Sequence, residues 1–319
     1  KAPEYIRKLA AGEEAGALEA VLEDPPLPFI TGTLCDHVCQ AACSRNDYEG
    51  SVEIRACKLS CARAASIPAG RPAPAAFRGK VAVIGAGPAG LSCAHYLALA
   101  GVPVTVFDKA AAPGGVPANV IPSFRIPRED IARDIGRIAS LGAEFRFGTE
   151  VRELGPLEAQ GYTAFFAGVG APVPRRLELA GSGIELVDAL SFLERSAEYG
   201  GRASVVVAGG GNTAMDAARA AARLPGARSV VISYRRSRAE MPADREELEN
   251  ALREAKALGE RSEAAASLNA PEASPAGPLL ELCAPEAALP PAGDRGPRRG
   301  LRRLRLGRPA AAGRRAPEP

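Results

Sequence analysis

At 319 residues, with 46% hydrophobic and 24% charged side chains, the chain is long enough for two or more globular domains. Its formal charge of +3 arises at one end, since residues 255–319 carry 11 basic and 7 acidic side chains against 29 and 30 in residues 1–254. A neutral body excludes the basic footprint of a nucleic-acid-binding protein, and no apolar run approaches the length of a membrane span. No signal peptide is visible, and Lys1 in place of Met predicts that natural sequence lies upstream. A cytoplasmic setting is expected.

In residues 4–23, Tyr5, Ile6, Leu9, Leu18, Val21 and Leu22 recur around an interruption at Gly12, which predicts two short amphipathic helices. Five of the seven cysteines then crowd into one segment. Cys35, Cys39 and Cys43 come at intervals of four, so on a helix their thiols share one face. Thiolates grouped that way suit iron–sulfur or zinc. The alternative is a stripe of small buried residues, and His37 between the first two cysteines keeps zinc open. Residues 51–65 predict a further helix with Cys57 and Cys61 one turn apart. The Pro- and Gly-rich stretch SIPAGRPAPAAFRG reads as a linker that closes a helical domain over residues 1–78.

The stretch VAVIGAGPAGLSCA, residues 81–94, runs from an apolar strand through a glycine turn into a small-residue helix. Gly85 allows the tight turn, Gly87 lets backbone approach a pyrophosphate, and Gly90 lets the helix pack closely on the strand. Ala86, Pro88 and Ala89 complete the turn and open the helix, whose first N–H groups face the phosphates. The next strand, VPVTVFD, ends in Asp108, followed by Lys109; an acid there can bond a ribose hydroxyl. APGGVPANVIPSFRIPRED has no helix or strand period and predicts an extended loop over the cofactor, with Gly114 and Gly115 permitting close approach. A helix over residues 129–141, a strand at EFRFG and a strand at YTAFFAGVGA follow. The turn at Gly168 either passes over the same cofactor or is an ordinary β-turn.

At Ala203 the pattern returns as ASVVVAGGGNTAMDAARAAARL, with Gly209, Gly211 and Ala214 in the three small-residue places. Its next strand, SVVISYRR, ends in Tyr234, Arg235 and Arg236 where the first unit has Asp108. Guanidinium groups there grip a 2′-phosphate, which predicts NADPH; the alternative is solvated surface charge. From residue 255 onward Ala, Pro, Gly and Arg dominate without period, so no structure is predicted over 255–319.

CDHVCQAACSRNDYEGSVEIRACK, GAGPAGLSCA, PGGVPANVIPSFRIP, AGGGNTAMDAAR and YRRSRAEMPADREELENA occur in this order. Together they resemble the small subunit of glutamate synthase and its relatives, among them selenate-reductase-like subunits and the electron-input half of dihydropyrimidine dehydrogenase. The resemblance covers residues 1–254, and RNDYE and GGGNTAMD lean toward the selenate-reductase-like branch. It implies an α/β chain in which a helical iron–sulfur domain precedes two Rossmann-like domains: the first part of an FAD-binding domain over 79–178, then an NADPH-binding domain over 179–254. It implies an FAD site on Gly85, Ala86, Gly87, Pro88, Ala89, Gly90, Asp108, Lys109, Gly114, Gly115 and Gly168. The NADPH site falls on Gly210, Gly211, Asn212, Thr213, Arg235 and Arg236.

By the same resemblance Cys35, Cys39 and Cys43 ligate 4Fe–4S clusters that cysteines upstream of residue 1 complete. A remaining ligand place falls near Lys58, whose ammonium is no ligand, leaving Cys57 or Cys61 as substitutes. The relatives return to the flavin domain after the NADPH domain; here AGDRGP at Asp294 is the trace of that return, and the rest of the tail reads as a shifted frame. A chain so ended is expected to hold FAD poorly. Hydride transfer needs stacking and orientation, so no catalytic side chain is expected. Disulfide reductases need a cysteine pair beside the flavin or nicotinamide, and neither PGGVPANVIPSF nor GGGNTAMD has one. Electrons are therefore expected to leave through clusters to a partner subunit or domain. The competing reading is an inactive fragment or a zinc-stapled nucleotide-binding scaffold.

Overall fold

In a computed structural model the described residues are 1–65, 77, 79–171, 173, 185–255 and 280–283. Helices α1 (Ala2–Ala10) and α2 (Glu14–Leu22) are the expected pair, joined through Gly12. α3 (Pro28–Leu34) starts on a proline, which costs nothing at a position where the N–H has no helical partner. α4 (Val38–Ala41) and α5 (Ile54–Ala64) follow. Tyr5, Ala17, Ala20 and Val21 close over Cys61 of α5 as a small core.

The next unit alternates strand and helix: β1 (Lys80–Ile84), α6 (Pro88–Leu99), β2 (Val104–Phe107), α7 (Gly115–Asn119), α8 (Arg128–Ser140), β3 (Glu144–Arg146), α9 (Gly155–Glu158) and β4 (Tyr162–Ala167). The sheet order is β3-β2-β1-β4 and every pair is parallel, with Val83 opposite Val106 on one side and Phe166 on the other. β1 and β2 read as near-continuous apolar runs because helices cover both faces of a parallel sheet. Val81, Val83, Val104 and Val106 pack against Leu91 of α6 and Ile131 and Ile138 of α8. Fully burying each such side chain contributes about 1.5–3 kcal/mol. Strand order reverses between β1 and β4, which opens a crevice at their carboxyl ends.

A second unit holds α10 (Ala189–Glu194), β5 (Ser204–Ala208), α11 (Asn212–Ala222), β6 (Ser229–Ser233), α12 (residues 245–255) and β7 (Leu280–Cys283). Asp188 caps α10 by accepting from the Ser191 amide at 3.0 Å. The alanine-rich α11 is buried on nearly every face, since side chains that small let a helix sit between sheet and neighbours.

Two expectations are corrected. The tail over 255–319 was expected to be structureless, yet the backbone of β7 pairs in parallel with β6, in the order β5-β6-β7. PLLELC is too short to show a period, and its Pro- and Ala-rich flanks conceal it. The loop after Asp108 is not wholly extended, because α7 interrupts it. The AGDRGP trace, the shifted frame and most of the SIPAGRPAPAAFRG linker lie outside the described residues. Among the described residues no helix is long and apolar enough to cross a membrane.

The first helical domain is tied to the first α/β unit by a cap supplied from a distance. Leu27, at the N-terminus of α3, has no acceptor, and Asp134 of α8 takes the Phe29 and Ile30 amides at 3.3 and 2.9 Å. Burial pushes the Asp134 carboxyl up to about 7, against the pull of those two amides and of Arg137. Nearby, burial and the Arg137 charge bring buried His95 down to about 4, so its ring is neutral.

Candidate functional site

The first glycine turn is built to interatomic tolerance. Gly85 has φ +104°, and a Cβ there would lie 2.3 Å from the Gly168 carbonyl oxygen. A Cβ on Gly90 would lie 1.8 Å from the Gly85 oxygen, so only glycine lets α6 approach β1 this closely. Gly115, at φ +56°, sits against Gly87, where an added Cβ would come within 2.7 Å of the Gly87 Cα. The structure thus brings Gly85, Gly87, Gly90, Gly115 and Gly168 to one place at the mouth of β1 and β4. Gly168 donates its N–H to the Ile84 oxygen at 2.7 Å and forms the crevice wall.

Gly87 opens α6 with no side-chain cap, and Pro88 and Ala89 in the first turn are exposed, so the helix N-terminus faces outward with its positive end uncovered. Ala86 is buried; its N–H donates to Asp108 Oδ2 at 2.6 Å and its carbonyl accepts from Gly114 at 2.8 Å. Asp108 Oδ1 accepts from the Ala110 amide at 2.8 Å. Both carboxylate oxygens thereby fix the turn, and each keeps a second lone pair for a hydroxyl. Lys109 beside it is exposed. An uncapped helix end and a cradle that a Cβ would fill fit the pyrophosphate and ribose of a dinucleotide.

The second turn repeats the plan with different chemistry. Gly211 caps α11 without a side-chain partner, Thr213 is exposed on its first turn, and Gly209 has φ +143°. The Tyr234 ring lies against Gly210, where a Cβ would come within 2.8 Å of Cδ2. Asn212 Oδ1 accepts from the Asp244 amide at 2.7 Å, so this side chain ties the turn to the segment leading into α12. Arg235 and Arg236 stand exposed at the end of β6. The Arg236 charge is felt at Glu240, whose carboxyl is held low mainly by its bonds to Ser237.

The three cysteines do not share a helical face. Cys35 is extended after α3, Cys39 lies in α4, and Cys43 is extended before a 3-10 turn at Ser44–Asp47. His37, with φ +38°, turns the chain between the first two. Backbone amides supply what a ligating thiolate needs: the Val52 and Arg45 N–H groups hold the Cys43 thiol below its usual range, and the His37 N–H reaches Cys35 Sγ at 3.4 Å. Cys61 is fully buried and burial pushes its thiol up to about 11; Cys57, half-buried, is also raised. Lys58 is lowered by burial and feels the Cys35 and Cys39 charges. Among the described residues no three His, Cys, Asp or Glu side chains gather as a single metal ion requires.

The sequence reading missed one constellation. Arg125, in the loop after α7, pairs with Asp216 of α11 at 2.9 Å and with Glu247 of α12 at 2.9 Å. Glu247 also holds Arg219 at 2.9 Å. PSFRIP carries Arg125, NTAMDAAR carries Asp216 and Arg219, and REELENA carries Glu247, but charge spacing within one stretch cannot join residues from three.

Two parallel α/β units, each with a glycine turn beyond its first strand and opposite charge beyond its second, define a two-nucleotide oxidoreductase scaffold. A family model described as pyridine nucleotide-disulphide oxidoreductase matches residues 79–258, and the chain belongs to this family. A second, dihydropyrimidine dehydrogenase domain II with its 4Fe-4S cluster, matches residues 1–66. FAD, a pyridine nucleotide and a 4Fe–4S cluster are the cofactors these two matches carry. YgfK of Escherichia coli K12 is 42% identical over 266 residues, covering 78% of this chain and 25% of its own. The NADPH-Fe(3+) oxidoreductase subunit beta of Geobacter sulfurreducens is 37% identical over 268 residues, 78% of this chain and 39% of its own. Glutamate synthase (NADPH) small chain of Escherichia coli K12 is 34% identical over 275 residues, 79% and 58%. The chain therefore spans between a quarter and somewhat over half of these relatives.

Proposed function

We propose that the chain takes electrons from NADPH onto FAD and hands them through 4Fe–4S clusters, ligated in part by Cys35, Cys39 and Cys43, to a partner subunit or domain. The observation that carries this reading is the contrast between two similar glycine cradles, one followed by Asp108 and the other by Arg235 and Arg236. An acid suits an unmodified ribose, as in FAD, and paired guanidinium groups suit a 2′-phosphate. Bound FAD supplies the exchange between a hydride donor and a one-electron carrier. The chain's own part is to hold phosphates on the α6 and α11 N-termini, to orient the two rings and to present thiolates steadied by backbone N–H groups. The names of the Geobacter and glutamate synthase relatives, a beta subunit and a small chain of enzymes named for NADPH, support a role within a larger assembly. We keep the cytoplasm as its compartment, where thiols stay reduced.

The test is anaerobic titration of the iron-reconstituted, FAD-loaded full chain with NADPH. Flavin absorbance should bleach and an electron-paramagnetic signal from reduced iron should follow. Bleaching without that signal refutes the route through the clusters, and a protein that loads zinc but neither iron nor flavin is a scaffold instead.

A further inference from the structure

One continuous segment connects the two glycine turns. It starts at the first cradle, where Gly114 donates to the Ala86 oxygen at 2.8 Å and Gly115 abuts Gly87. It continues through α7, whose end is stapled by Arg128, donating to the Pro117 and Ile121 oxygens at 2.7 and 2.8 Å. It finishes on the helix of the second cradle through three different contacts. Val120 packs with Leu193, Ala217 and Ala220. The guanidinium groups of Arg219 and Arg223 lie over the Phe124 ring, at 4.4 and 4.2 Å from its centroid. Arg125 joins Asp216 and Glu247, and Glu247 and Glu254 hold Arg219.

We propose that residues 114–128 form a strut that sets the distance and angle between the two nucleotide cradles, with Arg125 as its positioning residue. The inference rests on the two-nucleotide reading above. The Arg125 and Asp216 side chains are 8% and 4% exposed. Parting them leaves uncompensated buried charges, so a swivel between the units is opposed where the strut ends. Asp216 Oδ1 has no hydrogen-bond partner among the described residues, so Arg125 supplies the hydrogen bond to this carboxylate, with the Arg219 charge acting on it as well. Hydride transfer needs reacting atoms about 3–3.5 Å apart, and a misplacement of about 1 Å costs on the order of a hundredfold in rate. A contact remote from both rings can therefore govern the rate without touching either nucleotide.

The experiment uses the full chain loaded with FAD, unmodified and as Arg125→Met and Arg125→Lys, mixed rapidly with NADPH under argon. Arg125→Met should lower the limiting rate of flavin reduction by about a hundredfold while the half-saturating NADPH concentration stays within about threefold, and Arg125→Lys should recover part of the rate. In parallel, spin labels placed at exposed Gln160 and Arg228 through an unnatural amino acid report the distance between units, which should broaden in Arg125→Met without any cofactor bound. Should Arg125→Met not fold, the pair Arg125→Met with Asp216→Leu removes both charges and should show the same broadening. An unchanged rate and distance overturn the strut, as does a loss confined to flavin content. An unmodified chain whose flavin, supplied in excess, is not reduced by NADPH refutes the proposed function, and the label distances then decide the strut alone.

Discussion

Replacing Asp134 with Asn should make the stability difference between variant and parent depend on pH, and change its sign. Asp134 is fully buried, and its native pKa of about 7 lies above the ordinary aspartate value of 3.8. The native state thus holds a proton that the unfolded chain has released. The stability this group contributes is complete below about pH 4 and is lost as pH rises through about 7. At about 1.4 kcal/mol per unit, the loss is about 4 kcal/mol. Asn cannot titrate, and its amide turns a donor toward one of the two α3 amides, a cost of about 1–3 kcal/mol that does not vary with pH. At pH 4.5 the parent should therefore be the more stable, and at pH 8 the variant. About 1 kcal/mol of that is already lost at pH 4.5, and for a chain of this size about 2–4 °C accompanies each kcal/mol, so the difference in melting temperature should swing by roughly 6–13 °C between those limits. Other titrating groups are common to both proteins and cancel. Thermal melts of the two across that range are the assay, and a difference in melting temperature that stays constant with pH refutes the protonated carboxyl.

Replacing Arg235 and Arg236 together with Ala should erase a preference for NADPH over NADH of about a hundredfold or more, since hydrogen bonds to a charged phosphate contribute about 1.5–3 kcal/mol each; equal binding of both nucleotides to the unmodified chain, by fluorescence titration, contradicts this. Gly90→Ala puts a Cβ 1.8 Å from a backbone oxygen and should cost most of the flavin, whereas Gly136→Ala, with nothing within 4 Å, should raise the melting temperature through helix propensity alone. Flavin content after gel filtration compares the two. Ser at Cys35, Cys39 or Cys43 should lower iron and sulfide after reconstitution, while Cys61→Ala should keep both and cost about 1 kcal/mol of packing. Iron that falls only with Cys61→Ala would reverse the ligand assignment.

The local grammar of the chain was legible because it depends on neighbours in sequence. Gly85, Gly87 and Gly90 are read from a fixed spacing, and β1, β2, β5 and β6 from apolar runs, which in β1 and β2 answer to a sheet covered on both faces. The cysteine spacing misled for a related reason. An interval of four fits a helix, but His37 takes a left-handed conformation and breaks the turn. The Arg125, Asp216 and Glu247 cluster was illegible because its members come from three distant stretches and look like ordinary surface charge until the fold buries them. Asp134 was likewise hidden, since a cap is sought beside its own helix and this one comes from over a hundred residues away.

The placement of β7 has a consequence for how the chain is made. Its four residues pair with β6 across roughly fifty residues of sequence, so during synthesis the second sheet waits for residue 283 to leave the ribosome. Until then β6 is a terminal strand, with Val230, Val231 and Ile232 offering unpaired amides and carbonyls along one side. Such an edge pairs readily with the same edge of another nascent chain, and distant parallel pairings are slow to form. A chain halted near residue 255 would keep that edge permanently, and its first failing would be self-association while the cradle itself stayed intact.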